Sequence, residues 1–157
     1  MDYTNFVPVV GTIINISRGN DCCGQMISLR TGNGIVNFVV NPNTLVIGSR
    51  QLRVGMTVAA FYNKNLPVPL IFPPQYQAQI ITVLGRNEQI MLNFFDENLR
   101  ATDNSLQLNI AGSTVIKTAN GQNVTCNLGN KTLLVYYTNT TRSIPPQTTP
   151  RQVIVLC

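Results

Sequence analysis

The residues of this chain best suited to covalent chemistry are its four cysteines: the adjacent pair Cys22-Cys23, Cys126, and Cys157 at the last position. No Cys-x-x-Cys pair occurs, and there is no histidine. A tetrahedral zinc site would have to gather four thiolates from one vicinal pair and two remote residues, so no metal is expected. The four thiols allow three pairings. Pairing Cys22 with Cys23 is the least favourable, because neighbouring residues rarely reach disulfide geometry without strain. Free buried thiols are ordinary in proteins made in the cytoplasm. Here, however, Cys22-Cys23 lies in the polar turn Asn20-Asp21-Cys22-Cys23-Gly24, and Cys157 is a chain end. Both kinds of place are normally exposed. That placement predicts cross-links between copies through Cys22, Cys23 and Cys157, with Cys126 a buried thiol or an intramolecular partner.

Acid–base chemistry is poorly provided for. It would fall to Asp2, Asp21, Glu88, Asp96, Glu97 and Asp103. Only Asp96-Glu97 forms a cluster, and it reads as a solvated turn. A cysteine nucleophile would lack a histidine base. The sequence predicts no enzyme and no cofactor.

Two other kinds of chemistry remain. The net charge of +5 favours anionic partners. Single strands are held by basic grooves and stacked aromatics, for which Arg30, Arg50, Arg53, Phe61 and Tyr62 are the candidates. The basic residues are dispersed and tryptophan is absent, so nucleic acid is possible but not favoured. The second is docking. Val58 to Leu84 is a strand ending in Phe61-Tyr62, a proline-rich connection and another strand. Leu133 to Leu156 repeats that grammar with Tyr136-Tyr137 and Pro145-Pro146-Gln147. Proline-rich segments are pre-ordered and dock at low entropy cost. The docking candidates are Pro67, Pro69, Phe72, Pro73 and Pro74 in one connection, and Pro145 and Pro146 in the other.

The elements that must position these residues are strands. No window keeps a 3.6-residue period over a useful length. Strands are expected at 9–16, 25–29, 35–40, 44–47, 58–62, 76–84, 88–95, 105–110, 113–117, 122–126, 131–138 and 151–156. Asn33-Gly34 and Asn120-Gly121 supply the positive φ of tight hairpins. The halves match at an offset of roughly 70 to 75 residues. Val36-Phe38-Val40 aligns with Leu106-Leu108-Ile110, Leu45-Val46-Ile47 with Thr114-Val115-Ile116, Phe61-Tyr62 with Tyr136-Tyr137, and Gly55 with the Gly129 region. Five or six short strands per half suit a small barrel of the OB type. The fold class expected is all-β: two tandem OB-like barrels, 9–84 and 85–157, packed without a flexible linker behind an N-terminal arm, 1–8.

Charged residues make up 11% of the 157 residues, against roughly 25% in typical proteins. A surface of Asn, Gln, Thr and Ser repels its neighbours weakly, which lowers the electrostatic cost of association. Met1 to Val10 lacks the charged and apolar regions of a signal peptide. No apolar run approaches the ~20 residues of a membrane helix. Synthesis in the cytoplasm and no membrane partner are expected.

Val10-Gly11-Thr12-Ile13, Ile35-Val36-Asn37-Phe38, Leu52-x-Val54-Gly55-Met56-x-Val58 and Phe61-Tyr62 follow a bacterial OB-like spacing. With Arg30-Thr31-x-Asn33-Gly34 and Pro67-x-Pro69-Leu70-Ile71-Phe72-Pro73-Pro74-Gln75-Tyr76, residues 9–84 resemble small uncharacterised OB-like β proteins of clostridia-type spore-forming Firmicutes. That resemblance implies no activity. In its Asn/Thr-rich composition and its Cys-Cys pair the chain is also similar to cysteine-stapled subunits of spore-surface appendages and coats. There the pair lies in an N-terminal arm; here it follows the first strand. The second resemblance implies a homopolymer at the spore or cell surface, with strand edges or the arm docked between copies. The alternative is a double OB-like module for single-stranded nucleic acid or another anionic polymer.

Overall fold

The computed structural model describes residues 2–157. They form thirteen strands and one short 3-10 turn, with no α-helix. The chain divides into two compact units, Asp2–Leu84 and Gly85–Cys157.

The first unit contains β1 (Phe6–Arg18), β2 (Gln25–Thr31), β3 (Gly34–Val40), β4 (Leu45–Val46), β5 (Thr57–Asn63), β6 (Gln75–Gln77) and β7 (Ile80–Val83). Their order in the sheet is β4-β7-β5-β1-β2-β3-β6. The pairs β3–β6 and β4–β7 are parallel. Gly34, at φ +116°, turns β2 back onto β3. Alternate residues then share a face: Ile27 and Leu29, Phe38 and Val40, Val58 and Ala60 join Ile13, Leu52, Ala78 and Ile81 in one core. Burying each large aliphatic side chain contributes roughly 1.5–3 kcal/mol. At Gly11 a Cβ would lie 2.7 Å from the Arg30 carbonyl oxygen. Glycine is what lets β1 pass so close to β2.

The second unit contains β8 (Gln89–Phe95), β9 (Gln107–Leu108), β10 (Val115–Thr118), β11 (Lys131–Tyr137), β12 (Gln147–Thr148) and β13 (Gln152–Leu156). One sheet runs β10-β13-β11-β8 and another β12-β9. Single bridges, Phe95–Ala101 and Arg100–Gln107, stand where the first unit has β2. With those bridges included, the pairing order matches the first unit element for element. Individual bonds match too. Thr44 Oγ1 donates to the Ala78 carbonyl at 2.9 Å, and Thr114 Oγ1 to the Pro150 carbonyl at 2.8 Å. Asn37 N–H donates to the Pro74 carbonyl, and Gln107 N–H to the Pro146 carbonyl, both at 2.8 Å. The Phe72–Pro73 and Ile144–Pro145 bonds are both cis.

The fold class is all-β as expected, and no sheet closes into a barrel, β4 and β6 being the ends of the first. Several other expectations need correction. The chain leaves regular pairing at Ala78-Gln79, between β6 and β7. There Ala78 N–H donates to the Val39 carbonyl and Gln79 N–H to the Phe61 carbonyl. Of the arm expected at 1–8, Phe6, Val7 and Pro8 belong to β1 and pair with Asn63, Tyr62 and Phe61. Residues 122–126 form no strand; their β-pairing is limited to the bridge Asn123–Lys117. Val124 is the one apolar residue there that packs on the core, too little to hold a strand in place. The repeat aligns one residue later than expected near β4. Leu45 faces Ile80, whereas Val115, not Thr114, faces Gln152. The counterpart of Gly55 (φ +98°) is Asn130 (φ +58°), both just before a long strand.

Candidate functional site

The connection from β5 to β6, residues 64–74, leaves the sheet with little to cover it. Leu66 and Val68 are each 46% exposed, Ile71 53%, Phe72 93%, and Leu70 fully exposed. Pro67 and Pro69 are exposed, whereas Pro73 and Pro74 are half-buried at the foot of the loop. The loop curls over a hollow of about 360 Å³, lined by Val68, Leu70, Ile71, Phe72, Pro74 and Tyr76 among others. Its floor is firm. The Tyr76 ring stacks on Tyr62 at 4.0 Å and 15°, and lies 5.7 Å from Phe38. Burial, with Tyr76 alongside, pushes the Tyr62 hydroxyl above its ordinary pKa.

The matching connection from β11 to β12, residues 138–146, is polar and tied to itself. Thr141 N–H donates to the Gln147 carbonyl, and Gln147 N–H returns a bond to Thr141 Oγ1. The Thr141 and Ser143 hydroxyls are 2.6 Å apart, and Ser143 Oγ donates to the Pro145 carbonyl at 2.8 Å. Thr148 Oγ1 donates to the Asn139 carbonyl at 2.6 Å. A hollow of about 340 Å³ beside this loop is lined only by Asn, Gln and Thr. One large apolar side chain stands out of it: Ile144, 92% exposed. Pro145, expected to dock, is buried, and Pro146 half-buried. The exposed residue is the one before them. Ile144 precedes Pro-Pro-Gln as Phe72 does, and that match was the available signal.

All four cysteines are exposed and unpaired. Cys22 and Cys23 cap the loop between β1 and β2. Its neck is closed by Gly19 N–H bonding the Gly24 carbonyl at 3.0 Å. A Cβ on Gly19 would lie 2.6 Å from the Gly24 carbonyl carbon, so a side chain there would force the neck open. Cys23 N–H donates to Asp21 Oδ1 at 2.9 Å. Cys157 follows β13. Cys126 lies in the long connection between β10 and β11 and is exposed, not the buried thiol expected, because that connection has so few apolar residues to cover it.

The candidates for polymer binding separate. Phe61 is fully buried and offers no ring face to a ligand. Tyr62 is engaged with Tyr76. Arg30, on β2, and Arg50 and Arg53, after β4, are exposed. Among the described residues no three Cys, Asp or Glu side chains gather as a metal set, and no helix is long and apolar enough to cross a membrane.

A feature the sequence did not announce is the Glu88–Arg151 pair. Arg151 Nε and Nη2 donate to the two Glu88 carboxylate oxygens at 2.6 and 2.8 Å. The Glu88 side chain is 2% exposed. The guanidinium also lies 5.5 Å from the centre of the Tyr136 ring. Burial alone would raise the Glu88 pKa, but the bonds from Arg151 and the Gly85 amide, with the Arg151 charge, outweigh it and hold the carboxyl below its ordinary value. Both partners are spent on each other, so the pair is structural. Compared with protein-family models, with curated proteins and with solved structures, the chain finds no match.

Proposed function

We propose that this protein is a structural, self-assembling subunit, spore-surface or filament-forming, built of two OB-like barrels. The barrel reading is supported by the amides at Ala78-Gln79, which bond consecutively to Val39 on β3's side and Phe61 on β5's side. On that view β6 and β7 are one interrupted strand bridging the two. The assembly reading rests on one observation above the others: the same position ahead of Pro-Pro-Gln carries an apolar side chain more than nine-tenths exposed in both units, Phe72 and Ile144. Apolar surface left in water at two equivalent, protruding points marks an interaction site. Four exposed thiols on separate loops and a chain end add the means to lock contacts once made.

Electron microscopy of the purified protein tests this. Regular polymers are expected, with denaturing-gel ladders that collapse on adding reductant. A monodisperse monomer under oxidising conditions would sink the proposal. A double OB-like module for single-stranded nucleic acid or another anionic polymer draws support from the exposed Arg30, Arg50 and Arg53. It requires an affinity that falls steeply with salt. It loses support from Phe61, which is buried.

A further inference from the structure

We infer that copies join head to tail, the Ile144 tip of one seated in the apolar hollow at 68–76 of the next. This rests on the self-assembly reading and names its contact. Leu70 and Phe72, which line the hollow, are almost wholly exposed, and Val68 and Ile71 about half-exposed; a contiguous exposed apolar patch of this kind marks an interaction site. The occupant must be apolar, protruding and already ordered. The chain itself carries such a group: Ile144 is 92% exposed. The hydrogen bonds among Thr141, Ser143, Pro145 and Gln147 hold its loop in shape. Docking a pre-ordered tip forfeits little conformational entropy. A lipid surface is a poorer occupant, because Lys64 and Arg142 are the only basic residues in the two loops and no polybasic patch backs the apolar one.

In the head-to-tail arrangement inferred, each pairing leaves one free hollow and one free tip, and growth continues into a ring or an open filament; a wild type that stops at a dimer would mean reciprocal pairing and would overturn the inference. The test uses the full chain with reductant present, so that disulfides play no part, and reads mass by analytical ultracentrifugation. Wild type should form species larger than a dimer. Ile144→Asp and Leu70→Asp should each be monomeric. Both side chains are exposed, so both variants should keep the wild-type circular dichroism spectrum. Mixed one to one, they should form a dimer of twice the monomer mass and stop, because one intact hollow meets one intact tip. If Ile144→Asp still assembles while Leu70→Asp does not, the hollow pairs with itself and the inference is overturned. If both variants still assemble like wild type, the contact lies elsewhere and only the inference falls. If wild type stays monomeric, with or without binding to anionic phosphatidylserine vesicles, inference and self-assembly fall together.

Discussion

The loops at 64–74 and 138–146 leave equivalent strands, reach equivalent Pro-Pro-Gln segments, and solve the same geometric problem with opposite chemistry. The first exposes Leu66, Val68, Leu70, Ile71 and Phe72. The second ties its backbone with Thr and Ser hydroxyls and exposes one large apolar side chain, Ile144. Backbone path and surface chemistry are therefore separable in this fold. The sheet dictates where the connection runs. What stands on it is free to become a receptacle in one unit and a projecting tip in the other.

Substitutions separate buried positions from exposed ones. The largest effect is expected where an aromatic is inside rather than on a tip. Phe38→Ala removes a fully buried ring and should lower stability by about 3–5 kcal/mol. Phe72→Ala removes the same group from a 93% exposed position and should change it by no more than about 0.5 kcal/mol. Urea titrations of both variants check this, and a comparable loss in Phe72→Ala would mean its loop is packed after all.

Next is the Glu88–Arg151 clamp of the second unit. The backbone equivalent of Arg151, judged by its amide bond to β11, is Gln79 on β5's side. Arg151→Ala strands the buried Glu88 carboxylate and should cost about 2–3 kcal/mol; Gln79→Ala should cost far less. The pH dependence follows. The folded Glu88 pKa is depressed, so its stabilisation is complete above the ordinary carboxylate value of roughly 4.3. It is lost as pH falls through the lowered folded value. Hydrogen exchange followed from pH 6 to pH 3 should show the 85–157 amides losing protection before those of 2–84. Simultaneous loss would argue against the clamp.

A smaller effect belongs to the second loop itself. Ser143→Ala deletes the bonds to Thr141 and Pro145 and should cost about 1 kcal/mol, read as faster exchange of the Thr141 and Gln147 amides. The smallest concerns the cysteines. Because all four are exposed, replacing them together by serine should leave the melting temperature within a few degrees of wild type. The reductant-sensitive ladder should vanish while reductant-insensitive assembly persists.

Much of this architecture was legible in the chain. Alternation in Val36-Asn37-Phe38-Val39-Val40 and Leu106-Gln107-Leu108 fixed which residues face a core. Asn33-Gly34 fixed one hairpin, and the echo of Pro73-Pro74-Gln75 at Pro145-Pro146-Gln147 fixed the repeat. Less of the site was legible. Period-two reasoning requires half of each strand to be buried, but it does not say which half of an aromatic pair. Phe61 is therefore buried, while Tyr62 is half-buried. At residues 122–126 the local pattern promised a strand, but Val124 alone packs on the core, too little to hold one.

What the sequence determined by itself is what short-range physics decides: strand content, turn positions, the repeat and the inventory of thiols. Tertiary structure alone decided the rest, because it depends on residues distant in the chain arriving together. Glu88 and Arg151 meet across 63 positions. The first unit leaves regular pairing at Ala78-Gln79, and Tyr76 reaches Tyr62 to floor the hollow. Ile144 becomes a tip because Thr141, Ser143, Pro145 and Gln147 around it are hydrogen-bonded to one another.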